Sequence, residues 1–190
     1  WRTLEGGLAC TWVIPFSESE MLSPGLLQTS IGAALSTALG CNCKWPNDLI
    51  TESGIKLGGV LVESSTSESA VRVGVGINRE SAVVEGTEVS GWSQQSPEME
   101  LMEVFTLVDT TLASLFESLP NIPAVTKLEL AEISWKGLAN SLSRGVFIES
   151  EGGISRVIGL DGGGRLEIET MGEVGISDDV ESVDWIILSD

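Results

Sequence analysis

Residues 44 to 64 read KWPNDLITESGIKLGGVLVES and gather the side chains of this chain best suited to chemistry. They are two lysines, Lys44 and Lys56, the pair Asn47-Asp48, and the step Gly58-Gly59. A lysine ammonium is a compact positive charge with three donors, well matched to oxygen anions. Glycines leave the backbone bare, so a ligand can approach it closely. Further on, VRVGVGIN adds Gly74 and Gly76, and then Asn78, whose amide both donates and accepts. Together these residues predict the floor of a site for an anionic ligand.

Each part alone has an ordinary structural reading. Strand glycines often mark bulges or tight packing, lone lysines are usually solvated, and Asn-Asp is a common turn pair. GVGIN lacks the third glycine and the following helix of a dinucleotide fingerprint, and no G-x-x-x-x-G-K-[ST] phosphate loop is present. Composition by itself implies an α+β domain able to bind an anion.

The charge background makes the lysines informative. The 190 residues hold 10 Lys and Arg against 28 Asp and Glu, a formal net charge of −18. Such a surface repels a phosphate backbone and an anionic bilayer, so neither nucleic acid nor membrane is an expected partner. Histidine is absent, which removes His-based triads, general bases and metal ligands. Cys10, Cys41 and Cys43 are odd in number and lack a zinc spacing. On a strand, Cys41 and Cys43 face one side as small apolar fillers. No apolar run approaches the roughly 20 residues of a membrane span, and no basic-then-apolar leader is seen, so a cytoplasmic protein is expected.

The elements that must position these residues are legible in outline. GGLACTWVI reads as a strand, and SPGLLQTSIGAALSTALG as a helix with Ser23 as N-cap, Pro24 at its first position and Gly40 as its stop. CNCKWPNDLIT is extended and broken by Pro46. A turn at Glu52-Ser53-Gly54 leads into IKLGGVLVES, which is expected to pair antiparallel with the valine-rich SESAVRVGVGIN. Residues 79–97 are polar and read as an irregular surface loop. Leu101, Val104, Phe105, Val108, Leu112, Leu115 and Phe116 recur at helical spacing, and a further helix is expected over Ala124 to Trp135. From about residue 140, short strands alternate with glycine-rich turns, as in a small β-barrel or sheet.

The combination KWPNDLI, GIKLGGVLVES and VRVGVGIN closely resembles the central motif of biotin protein ligases. The opening WRTLEGGLACT is similar to that family's Trp-x-Ser-Pro-x-Gly-Gly-Leu segment, with Thr3 and Leu4 in place of the usual serine and proline. The resemblance covers most of the chain. It implies a mixed or antiparallel sheet packed with helices over residues 1–138 and a small β-barrel-like domain over 139–190.

It also implies a reaction. Biotin's carboxylate attacks the α-phosphate of ATP, pyrophosphate leaves, and a lysine of a biotin carboxyl carrier protein then takes biotin from the adenylate. Like unit charges about 4 Å apart repel by about 4 kcal/mol at an effective dielectric near 20. A cation between them removes that repulsion. Lys56 matches the family's bridging lysine, in contact with both carboxylate and phosphate. By the same resemblance Lys44 assists the triphosphate, and Asp48 orients the carrier lysine. Asn47 with Asp48 holds magnesium, water or the incoming amine. Gly58, Gly59 and Gly74 lie against biotin or adenylate, Asn78 against adenine, and Trp1 near the nucleotide. Trp45 reads as structural. Mg2+ is expected mainly through the phosphates, with Asp48 as one candidate ligand.

A homodimer is left open. In the family a Gly/Arg-rich loop, a Ser/Thr-Asn pair and a glutamine precede the tryptophan. The chain begins at Trp1, so it is expected to be part of a longer protein and impaired without that loop. Two alternatives stand beside this reading: a lipoate ligase, which shares the fold and bridging lysine, and a non-catalytic relative that only binds a carrier domain or adenylate. A DNA-binding repressor requires a helix-turn-helix; none is visible in these residues, and one could lie only upstream of Trp1.

Overall fold

The computed structural model describes residues 4–15, 23–65, 69–118, 147–150, 153–177 and 184–186. The first sheet is built around β4 (Lys56–Ser65) and β5 (Ala70–Ile77), which pair antiparallel as expected. Strand β1 (Leu8–Pro15) lies on the other side of β5, and β3 (Asp48–Ile50) and β2 (Asn42–Lys44) follow beyond β4. Alternation decides the two faces. Val71, Val73, Val75, Val60 and Val62 are buried under the helices. Across the register, Ala9, Thr11, Gly76, Gly74, Gly59 and Leu61 occupy the opposite face, which carries the cleft described below.

Helix α1 (Pro24–Leu39) covers the buried face. Ser23 is its N-cap, its hydroxyl accepting from Leu26 N–H, and Gly40 ends it in the left-handed region, both as the sequence predicts. Helix α2 (Leu101–Ser118) packs beside it through Val104, Val108 and Leu112, each contributing about 1.5–3 kcal/mol by burial. It also reaches β1, where Phe105 stacks on Trp12 and Asp109 accepts from the Trp12 indole N–H at 2.8 Å.

The segment 79–97 is not the irregular loop its polarity suggests. It forms a hairpin of β6 (Ala82–Val84) and β7 (Thr87–Val89), turned at Glu85 and Gly86, and then a short 3-10 turn that buries Trp92. Glu85 and Gly86 both have positive φ, the geometry that a two-residue hairpin turn requires. Strand β7 adds to β4 in parallel beside Lys56, so this hairpin forms one wall of the cleft.

A second sheet contains β8 (Phe147–Ser150), β9 (Gly153–Leu160), β10 (Leu166–Thr170), β11 (Glu173–Ser177) and β12 (Asp184–Ile186) in the order β11-β10-β9-β8-β12. Among the described residues β11 and β12 are not paired, so the expected closure into a barrel is not seen. Val157, Leu160 and Leu166 of this sheet join the same apolar cluster as Leu26, Ile31 and Trp45. The expected boundary at 138/139, the expected helix over 124–135 and Trp1 lie outside the described residues.

Candidate functional site

The hairpin β2–β3 and the start of β4 bring Asn47, Asp48 and Lys56 to one place. The Lys56 ammonium lies 2.5 Å from a carboxylate oxygen of Asp48. Their contact depends on a bulge. Leu49 pairs with Gly58 and Ile50 with Lys56, so Leu57 is an extra residue in β4. A bulge re-aims the side chains on either side of it. Leu57 is buried in the core, and Lys56 turns onto the face that carries Asp48.

These residues line a cleft of about 380 Å³ together with Leu4, Ala9, Gly58, Gly59, Leu61, Gly76, Asn78, Val84 and Val89. Gly59 is the position where a bare backbone matters most. A Cβ there would sit 3.2 Å from the Asn47 carbonyl oxygen and 3.4 Å from the Asp48 carboxylate, inside the space beside the ion pair. Gly58 also lines the cleft, but packing dictates its lack of a side chain: a Cβ there would collide with the Gly76 carbonyl of β5. Gly74 lines an adjoining cleft of about 310 Å³ with Thr11, Glu63 and Arg72, and Ala9 and Leu61 border both. The two clefts run along one face of the sheet.

Asn47 is held at both ends of its chemistry. Its backbone carbonyl accepts from Val60 N–H at 2.9 Å, and its side-chain amide donates to the Val60 carbonyl at 2.8 Å. Asn78 is anchored likewise. Its N–H donates to Leu57, its carbonyl accepts from Trp92, and its side-chain amide donates to the Ser90 carbonyl at 3.1 Å. In both side chains one amide N–H is committed to the scaffold, which fixes the group's orientation and leaves the carbonyl oxygen and the second N–H to meet a ligand.

Not every candidate converges. Lys44 stands opposite Asp48 across the hairpin but is not among the residues lining the cleft. Trp45 turns inward and is buried, its indole N–H donating to the Gly164 carbonyl at 2.8 Å, in keeping with the structural reading. Cys41 and Cys43 are buried free thiols. Burial pushes the Cys41 thiol up to about 12. Burial, with Cys41 and Asp48 nearby, raises Cys43 further. Both are thereby held as neutral thiols at neutral pH, packed as small apolar side chains.

Leu4, Val84 and Val89 are cleft residues that sequence patterns did not reveal. The two valines sit in a polar stretch without helical or strand length, so only the folded hairpin brings them to the cleft. Among the described residues no group of three acidic or cysteine side chains could hold a metal, and Asp48 is the carboxylate that lines the main cleft. One carboxylate fits a magnesium ion carried mainly by substrate phosphates. Among the described residues no helix is long and apolar enough to cross a membrane.

No family model matches the chain, and no curated protein is significantly similar to it in sequence. Solved structures are similar. Biotin protein ligase from Aquifex aeolicus in complex with biotin and ATP matches with a TM-score of 0.71 at 22% identity, over 99% of this chain and 82% of that one. A biotin protein ligase-like protein of unknown function from Silicibacter sp. matches with a TM-score of 0.65 at 13% identity, over 90% of this chain and 77% of that one. Biotin protein ligase from Leishmania major in complex with biotinyl-5-AMP matches with a TM-score of 0.52 at 18% identity, over 94% and 81%. The described architecture is therefore the sheet-dominated α+β fold of biotin protein ligases, with a small β-sheet unit at its C-terminal end.

Proposed function

We propose that the protein is a biotin protein ligase that activates biotin with ATP and passes it to a lysine of a biotin carboxyl carrier protein. The observation that supports this most is the Lys56–Asp48 pair standing in a glycine-floored cleft. Without ligand, Asp48 holds the ammonium in place. An entering carboxylate and phosphate would share that ammonium, which offsets their mutual repulsion as the new P–O bond forms. The bare backbone at Gly74 and the apolar side chains of Leu61 and Ala9 suit biotin's ring and chain, and the Asn78 oxygen suits the adenine amino group. Magnesium arriving with ATP would neutralise phosphate charge, with Asp48 and the Asn47 side-chain oxygen as its nearest protein donors. Lys44, at the far side of the hairpin, would meet the triphosphate beyond the cleft. Once the adenylate has formed, Asp48 would orient the carrier amine.

The test is pyrophosphate release by the protein expressed from its complete reading frame, with biotin or lipoate as the acid. Biotin-dependent release, with biotinyl-AMP seen by mass spectrometry, is expected. Release with lipoate alone would transfer the reading to lipoate ligation. No release with either would leave a binding protein.

A further inference from the structure

The KWPND hairpin is tied to the C-terminal sheet by a contact far apart in sequence. The turn between β9 and β10, Asp161 to Arg165, is a preformed plug. One Asp161 carboxylate oxygen accepts from Gly163 N–H at 2.8 Å and Arg165 N–H at 2.9 Å. The other accepts from the Arg165 guanidinium at 2.7 Å through Nε and 2.6 Å through its terminal nitrogen. The turn presents two carbonyls outward. Gly163 accepts from the Ser23 hydroxyl at 2.9 Å, and Gly164 accepts from the Trp45 indole at 2.8 Å. The fit leaves no room for a methyl group: a Cβ on Gly164, whose φ is +82°, would lie 2.5 Å from Leu26 N.

Trp45 is two residues before Asn47, which is pinned to Val60, and three before Asp48, which holds Lys56. The back of the hairpin rests on α1, where a Cβ on Gly32 would meet the Cys43 sulfur at 3.1 Å. The corner between β2 and β3 is therefore fixed from three sides: α1 behind it, β4 beside it and the C-terminal turn at its tip.

We propose that Trp45 is a positioning residue: by taking the Gly164 carbonyl, its indole sets the hairpin corner so that Asp48 holds Lys56 in register for the reaction. The C-terminal sheet thus acts on the chemistry through the hairpin corner that its turn holds. This inference rests on the ligase reading for its catalytic arm and on geometry alone for its structural arm.

Two variants test it. Trp45→Phe keeps a ring but deletes the donor, and Gly164→Ala leaves Trp45 intact but displaces the turn. Both are expected to lower kcat for biotin-dependent pyrophosphate release by about ten- to a hundredfold, with KM for biotin little changed. On an Asp48→Asn background, Trp45→Phe is expected to add nothing, because both act through one unit. Amide exchange at Val60, whose N–H donates to Asn47, is expected to quicken by about tenfold in both variants. Parental kcat and parental Val60 exchange in a folded Trp45→Phe protein would overturn the proposal, as would independent multiplication of the Trp45 and Asp48 effects. If the parent protein releases no pyrophosphate with biotin, the ligase reading fails, and the Val60 exchange still decides whether Trp45 positions the corner.

Discussion

Lys56 and Asp48 meet at 2.5 Å across a bulge in β4, with 51% and 25% of their side chains exposed. A pair this accessible contributes little to stability, typically about 0–1 kcal/mol. Its value is positional, because it holds an ammonium at the mouth of a cleft whose floor is bare backbone. Lys56→Ala should therefore slow adenylate formation by on the order of a hundredfold or more while shifting Tm by no more than about 2–4 °C. Single-turnover adenylation beside a thermal melt checks both halves. Equal rates in variant and parent would remove Lys56 from the chemistry.

Gly59→Val should raise KM for biotin or ATP at least about tenfold without unfolding the protein, since each 1.4 kcal/mol of lost binding is a factor of ten. Its Cβ position lies 3.4 Å from the Asp48 carboxylate and 3.9 Å from Lys56 Cε, so added methyl groups enter the cleft rather than the core. Gly58→Ala should behave differently. It strikes the backbone of β5 and should lower Tm, which thermal melts of the two variants would separate.

The plug at Asp161 should fail in acid. Burial alone would raise the Asp161 carboxyl, but the Arg165 guanidinium and the Arg165 and Gly163 N–H donors outweigh it and hold the group below its ordinary 3.8. A depressed carboxyl stabilises the fold above its unfolded pKa and loses that contribution as pH falls through the folded value. The loss should begin below about pH 4 and be blunted in Asp161→Asn, which should already melt about 2–4 °C lower at pH 7. Urea midpoints of the two proteins between pH 3 and 7 would show it, and parallel pH profiles would contradict it.

Thiol labelling should be ordered. At pH 8, Cys10, which is partly exposed, should react with iodoacetamide, whereas Cys41 and Cys43 should stay protected until the protein unfolds. Intact-mass analysis over time measures this directly. Early labelling at Cys43 would mean that the hairpin opens readily from α1.

Much of the scaffold was legible before folding because its signals are local. Ser23, Pro24 and Gly40 mark the ends of α1 through caps that act within a turn. The apolar stripe from Leu101 to Phe116 has helical period, and the valines of β5 alternate in strand period. Residues 79–97 do not show their fold locally because their hairpin depends on a two-residue turn and on pairing with β4, a partner more than twenty residues earlier in the chain. Their apolar positions are too few to give a period of their own.

What the sequence alone determined is the set of chemical groups: two lysines, an Asn-Asp pair and paired glycines, in a histidine-free acidic chain where no other reactive set competes. Which of them meet was decided only in three dimensions. The Leu57 bulge carries Lys56 to Asp48, and Lys44, equally promising as a residue type, is left outside the cleft. Trp45 finds its partner 119 residues away. Spacing along a strand fixes a side chain's face only while the pleat is regular, and a one-residue bulge or a long-range hydrogen bond depends on neighbours that no local pattern encodes.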